Sequence, residues 1–309
     1  MIRVLVCDPV SEEAVKVLEE AGFVVDIKPG LSPNILVNLV GEYDVIIVRG
    51  STKITSEIID AGIKLKIIAR AGSGLDNIAV NYAKEKGIKI LNAPEGNANA
   101  VAELTIGLIL ALLRKIPQAN IALKEGTWQR GLFKGLELKE RTVGVIGLGN
   151  VGSLVARKLR CLGCRVIGFK RSNLHEVAKR LGIIPAKDIN HLLAVSDIIT
   201  LHVPLTKETW HMIGEQEFNI MKNGVFLVNT SRGQVIDGKA LLKAINEGKV
   251  AGAALDVFWH EPPREEWEWR LIKHPNVIAV PHIGSMTEEA ERNVGLIIAR
   301  KIIKALKSS

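Results

Sequence analysis

Short apolar runs rich in valine and isoleucine recur along the chain, and between them apolar positions fall three or four residues apart. Runs of the first kind suit strands buried on both faces, and the second spacing suits amphipathic helices. The alternation therefore predicts parallel sheets joined by crossover helices. A first set of strands is expected at 4–7, 24–27, 45–48, 67–70 and 88–91, with a helix from the N-cap Ser11 that stops before Gly22. A long helical pattern at 98–115, closed by Pro117, follows as a link. Six further strands are expected at 143–146, 166–169, 198–202, 225–229, 250–256 and 277–280, then a last helix at 288–306.

The first strand of the second set runs into Gly147-Leu148-Gly149-Asn150-Val151-Gly152, a G-x-G-x-x-G turn that opens a helix expected at 153–162. Gly147 permits the tight turn, Gly149 lets backbone approach a pyrophosphate, and Gly152 lets helix and strand pack closely. The N–H groups of Asn150 and Val151, at the positive end of the helix, would carry the phosphate charge. A dinucleotide site is expected here. Where an NAD site presents an acid to the ribose 2′-hydroxyl, this chain has Lys170, Arg171 and Ser172, and no Asp or Glu before Glu176. Two readings stand: these donors hold a 2′-phosphate, or the cations face water. The first implies a mild preference for NADP(H) over NAD(H). The expected fold class is α/β with two doubly wound parallel-sheet domains. A Rossmann-type dinucleotide-binding domain, 96–284, is inserted into a flavodoxin-like substrate domain made of 1–95 plus 285–309.

The 309 residues are long for one core, which agrees with two domains. No apolar stretch reaches the roughly 20 residues of a membrane helix, the longest candidate being 104–113. The first residues read as a strand rather than a secretion signal, so a cytoplasmic protein away from membranes is expected. The net charge of +8 comes from Lys and Arg interspersed with acids, with no block of like charge. That pattern suits anionic metabolites and argues against nucleic acid. Cysteines number three, and the Cys161-Leu162-Gly163-Cys164 pair has no second pair to complete a zinc site. No metal is expected.

Three later segments each end an expected strand: "VNTSRGQVID" with Arg232, "LDVFWHEPP" with Glu261 and "VPHIGSMT" with His282. Arg offers a planar fork for a carboxylate, His exchanges a proton near neutral pH, and Glu can orient that His and raise its basicity. Across nearly its whole length the chain resembles the D-isomer-specific 2-hydroxyacid dehydrogenases. The resemblance rests on these three segments, on "RAGSGLDNI" at 70–78, on "NAPEGNANAVAELTIGLIL" at 92–110, on "GVIGLGNVG" and on "LHVPLT" at 201–206.

The resemblance implies an oxidoreductase that moves a hydride between NAD(P) and C2 of a D-2-hydroxy acid. Arg232 then binds the carboxylate and oxygen of the 2-oxo acid, His282 is the general acid/base, and Glu261 pairs with it. Cofactor contacts extend by the same likeness to His202, Val203, Pro204, Thr209, Thr230, Ser231, Asp256 and Gly284. Ser73 and Gly74 would hold substrate carboxylate on their backbone. "IIVRGSTKIT" and "GNANAVAELT" are most similar to the phosphoglycerate dehydrogenase branch, in a short form without a regulatory domain. The substrate pair implied is D-3-phosphoglycerate and 3-phosphohydroxypyruvate, a step of serine biosynthesis. Arg49 and Lys53 would then meet the substrate phosphate, although Arg49 also suits a surface salt bridge. Gly50 replaces the serine usual after that arginine, and the Lys170-Arg171-Ser172 run is more like the NADPH-dependent glyoxylate and hydroxypyruvate reductases. Such a reductase is the alternative, and a nucleotide-sensing binding protein of the same fold is a further one. A homodimer is implied, through the helix at 100–113 and the segment 124–133, with a tetramer as the other state. His260 is a rival proton carrier, and Trp259, Trp267 and Trp269 are expected to cover a surface turn or a subunit contact.

Overall fold

A computed structural model describes residues 1–307. The chain forms two compact units, Met1–Ala98 together with the stretch from Ser285 onward, and Asn99–Gly284.

In the first unit five parallel strands, β1 (Arg3–Val6), β2 (Val24–Ile27), β3 (Val45–Val48), β4 (Ile67–Arg70) and β5 (Lys89–Asn92), lie in the order β2-β1-β3-β4-β5. This is the flavodoxin-like order. Successive residues point to opposite faces, so Val4 and Val6 join one core layer and Leu5 and Cys7 the other. Burial on both faces explains why the central β3, Val-Ile-Ile-Val, is continuously apolar, while the edge strands β2 and β5 carry Asp26 and Lys89. The helix Glu12–Glu20 starts where Ser11 Oγ accepts from Ala14 N, 3.3 Å away. The last helix, Glu288–Lys307, returns to this sheet and buries Val294, Ile298 and Ile302 against it. Each such side chain contributes about 1.5–3 kcal/mol of burial free energy.

The second unit is a seven-stranded parallel sheet in the order β12-β11-β10-β9-β6-β7-β8. Its strands are β6 (Thr142–Ile146), β7 (Arg165–Phe169), β8 (Ile184–Pro185), β9 (Ile198–Leu201), β10 (Val225–Asn229), β11 (Val250–Leu255) and β12 (Val277–Ala279). Six strands were expected. The seventh, β8, is an edge strand of two residues pairing with Ile167 and Gly168, too short to leave an apolar run. It ends in Pro185, which has no N–H to donate and is tolerated at an edge. Ile109, Leu112, Val155 and Leu159 cover one face beside Val143, Val145 and Val228, while Leu241 and Ile245 cover the other beside Leu201, Leu227 and Leu255.

Two helix boundaries differ from expectation. The long helix Ala98–Arg114 ends at Lys115, which takes a left-handed φ of 52°, and Pro117 opens a further helix, Ile116–Lys124, instead of closing the first. Proline suits the first turn, where its missing N–H costs nothing. The helix after the glycine turn spans Asn150–Cys161 and so begins inside the motif rather than after it. Cys161 is exposed and Cys164 half-buried, both free thiols, and burial pushes the Cys164 thiol up to about 11. Among the described residues no helix is long and apolar enough to cross a membrane. Because all strands of the second sheet run parallel, the glycine turn and the segments after β7, β9, β10, β11 and β12 gather at one edge.

Candidate active site

At that edge Arg232 is presented by a turn built on Asn229, a fully buried residue that ends β10. Its Oδ1 accepts Ser231 N at 3.0 Å and Ser231 Oγ at 2.8 Å, and its Nδ2 donates to the Arg232 carbonyl at 2.8 Å. Every polar atom of the amide is thus spent on shaping residues 229–232. The neighbouring Gly233 lies against the backbone of Phe258 and Trp259, so closely that a Cβ would overlap the Phe258 carbonyl. Gln234 Nε2 donates to the Trp259 carbonyl at 2.8 Å, and Trp259 Nε1 donates to the Ile236 carbonyl at 2.7 Å. The loops that carry Arg232 and Glu261 are therefore sewn together along their backbones.

Glu261 and His282 meet directly. Glu261 Oε2 lies 2.7 Å from His282 Nδ1, while Oε1 accepts the Phe258 N–H at 3.1 Å. The side chains are 47% (His282) and 40% (Glu261) exposed, which leaves the imidazole open to a ligand. Burial alone would raise the Glu261 carboxyl, but its contacts with His282, Phe258 N–H and Arg232 hold it below its ordinary value. The hydrogen bond to Glu261 raises His282 above the ordinary imidazole value, against the opposing effect of burial. His282 takes a left-handed φ of 52°. Asp256 fixes this loop, because Oδ1 accepts Ile283 N at 2.7 Å and Oδ2 accepts Gly284 N at 3.0 Å. Burial pushes the Asp256 carboxyl up to about 6, although Ile283 N–H, His282 and Gly284 N–H oppose it. Asp256 and Gly284, both expected at the cofactor, are thus bonded to each other.

His260 belongs to a separate cluster. Its Nδ1 lies 3.0 Å from Oε2 of the fully buried Glu268, which also accepts the N–H groups of His260, Arg264 and Glu265. That carboxylate closes a turn, and His260 is part of the closure. Trp259 and Trp267 pack edge to face at 4.9 Å and fit over Gly238, while Trp269 is 44% exposed.

The glycine turn has the form of a cradle. Gly147 takes φ 93°, and a Cβ there would stand 2.6 Å from the His202 carbonyl; a Cβ on Gly152 would overlap the Gly147 carbonyl. Above Gly149, by contrast, a Cβ would meet nothing within 4 Å, and no side chain caps the helix that begins at Asn150. The space above Gly149, at the positive end of an uncapped helix that opens with the N–H groups of Asn150 and Val151, fits a pyrophosphate. Beside the cradle, His202 Nδ1 is closed off from water without a hydrogen-bond partner among the described residues, and Nε2 lies 2.9 Å from Thr200 Oγ1. Burial pushes the His202 ring down to about 3, so it stays neutral. Val203 packs on the cradle. Thr209 Oγ1 accepts Thr206 N at 2.8 Å and donates to the Pro204 carbonyl at 2.6 Å, which shapes the loop around Pro204. The buried Thr230 hydroxyl lies 2.9 Å from that of Thr105. Past β7, Lys170 is half-buried, Ser172 is exposed, and Arg171 Nη1 stands 3.7 Å from Glu208 Oε2.

In the first unit Arg49 is already engaged, its Nη1 3.1 Å from Glu291 Oε2 and 3.4 Å from the Pro9 carbonyl. The salt-bridge reading of Arg49 is the one the geometry displays. Lys53 is exposed and, among the described residues, forms no ion pair. Ser73 Oγ donates to Asn97 Oδ1 at 2.7 Å, and Asn92 Nδ2 donates to the Ser73 carbonyl at 2.8 Å, so two asparagines shape the loop of Ser73 and Gly74. Asn92, Asn97, Asn229, Gly233, Gln234 and Glu208 were not among the expected site residues. Asparagine at the end of an apolar strand was the available signal for Asn92 and Asn229. For Gly233, Gln234 and Glu208 the partner is distant in sequence, and no local signal exists.

Residues 106–284 match the sequence model described as D-isomer specific 2-hydroxyacid dehydrogenase, NAD binding domain. The chain is 46% identical over 307 residues to a D-3-phosphoglycerate dehydrogenase of Methanocaldococcus jannaschii, covering 99% of this chain and 58% of that one. It is 45% identical over 306 residues to a hydroxypyruvate reductase of Thermotoga maritima, covering 98% of each. The crystal structure of a glyoxylate reductase from Paecilomyes thermophila superposes with a TM-score of 0.89 at 31% identity, over 99% of this chain and 95% of that one. The chain belongs to the D-isomer specific 2-hydroxyacid dehydrogenase family, and its second unit carries the family's nicotinamide-dinucleotide-binding domain. It spans a little over half the length, 58%, of the phosphoglycerate dehydrogenases of Methanocaldococcus jannaschii and Archaeoglobus fulgidus.

Proposed function

We propose that the protein oxidises a D-2-hydroxy acid, or reduces the matching 2-oxo acid, with D-3-phosphoglycerate and 3-phosphohydroxypyruvate as the preferred pair. The observation that carries this reading is the exposed His282–Glu261 pair, tied through its loop to that of Arg232. With Nδ1–H donated to Glu261, the neutral imidazole keeps the Nε2 lone pair for the substrate hydroxyl proton. The resulting imidazolium is stabilised by the Glu261 carboxylate, and in the reverse direction it returns the proton to the 2-oxo oxygen. The Arg232 guanidinium orients the substrate carboxylate so that C2 is presented correctly. When bound, the nicotinamide supplies the hydride chemistry. Gly147, Gly149, Asn150, Val151 and Gly152 would hold its pyrophosphate, with His202, Val203, Pro204, Thr209, Thr230, Ser231, Asp256 and Gly284 around the rest.

At the 2′-position, Lys170, Arg171 and Ser172 give a mild preference for NADP(H). The names of the longer relatives support phosphoglycerate, and Lys53 is the cation best available for a substrate phosphate, with Arg49 reaching it on leaving Glu291. Ser73 and Gly74 offer backbone N–H groups to a carboxylate. A hydroxypyruvate or glyoxylate reductase is the second reading, favoured by the full-length Thermotoga relative and by the Arg49–Glu291 pairing. Steady-state kinetics with NADH and NADPH against phosphohydroxypyruvate, hydroxypyruvate and glyoxylate separate the two. Binding of a dinucleotide with no turnover of any 2-oxo acid would point instead to a nucleotide sensor. Trp128 and Leu132 expose apolar surface on the segment 124–133, which supports a homodimer. Light scattering that found a monomer would overturn that assembly.

A further inference from the structure

The acid that β7 lacks at its end is present in space on another loop. Arg171 and Glu208 belong to the segments after β7 and β9, and β6, whose end carries the glycine cradle, lies between those two strands. The 3.7 Å contact therefore joins two loops across the end of β6. Glu208 is held in place, since its Oε2 accepts Thr206 Oγ1 at 2.7 Å and Thr206 is itself anchored by Thr209. Both members of the ion pair are open to solvent, 75% for Arg171 and 61% for Glu208, so a ligand can reach them. Lys170 forms no ion pair among the described residues and stays available to a phosphate.

We infer that Glu208 is a specificity-determining residue for the dinucleotide 2′-position, acting as counterion to Arg171 and as a hydrogen-bond acceptor for a 2′-hydroxyl. This rests on the reading of Lys170 and Arg171 given above. A 2′-phosphate carries close to two negative charges at neutral pH, so it must draw Arg171 away from Glu208 and tolerate the carboxylate nearby. A neutral 2′-hydroxyl meets no such opposition and donates to the carboxylate. Glu208 thus pulls against Lys170 and Arg171, and the preference for NADP(H) is held to a mild one.

The test is direct binding of NADPH and NADH to the purified protein, read as dissociation constants from quenching of tryptophan fluorescence. Glu208→Gln keeps an acceptor for Thr206 and removes the charge. It is expected to shift the NADPH-to-NADH affinity ratio toward NADPH by about fivefold, with a smaller gain when Arg171 is also changed to Ala. Arg171→Ala alone is expected to weaken NADPH and spare NADH. If Arg171→Ala weakens NADPH while Glu208→Gln leaves the ratio unchanged, the role of Glu208 is overturned and the cation reading stands. If Arg171→Ala leaves NADPH binding unchanged, the cation reading beneath it fails.

Discussion

Two histidines follow strands of the same sheet and have opposite chemistry. His202 comes directly after β9, is pushed down to about 3 by burial, and has one ring nitrogen with no partner among the described residues. His282 comes after β12, faces a carboxylate at 2.7 Å, and is raised above the ordinary imidazole value. The residue type is shared, and the surroundings decide which ring carries protons. Desolvation without a counter-charge silences one imidazole, while a paired carboxylate favours the protonated form of the other.

The largest effect is expected from His282→Gln, which should lower turnover by about a hundredfold or more and leave the dissociation constant of the dinucleotide unchanged. Full activity in that variant would remove His282 from the chemistry. A smaller loss, about tenfold, is expected from Glu261→Gln. The pH profile sharpens this comparison: oxidation needs neutral His282 and should rise with pH through an apparent pKa above the ordinary imidazole range, while reduction falls through it. Without the Glu261 carboxylate the imidazolium loses its stabilisation, so both midpoints should move to lower pH; an unmoved midpoint would separate the pair. Asp256→Asn replaces one acceptor facing an N–H with an NH₂ group and should cost about 1–3 kcal/mol in urea unfolding. The smallest effect concerns His202. Its ring proton resonances should stay constant from about pH 5 to 8, while those of His282 titrate.

Much of this was legible in the sequence because it is local. A glycine turn between strand and helix, and Arg, Glu and His each placed after a strand, are patterns that one loop can satisfy alone. β8 was missed because two residues that end in proline carry no periodicity. Pro117 was misjudged because its fixed φ suits a first turn as well as a stop, and the left-handed Lys115 settles which. Arg49 showed its charge but not Glu291, which is 242 positions away in sequence. The same holds for Glu208. An NAD-type acid is expected at the end of β7, whereas Glu208 lies on the loop after β9 and meets Arg171 only in the folded chain.

The stitches along the carboxyl edge fall into two groups. Gly233 and Gln234 bind the loop after β10 to that after β11, and Asp256 binds the loop after β11 to that after β12. Arg171 and Glu208 connect a different pair of loops, after β7 and β9. On the proposed function, proton handling and cofactor choice thus sit on separately tethered parts of one sheet. The exposed charges of Arg171 and Glu208 can then be exchanged to retune dinucleotide choice without moving His282 and Glu261, the pair to which the proposed acid–base work falls.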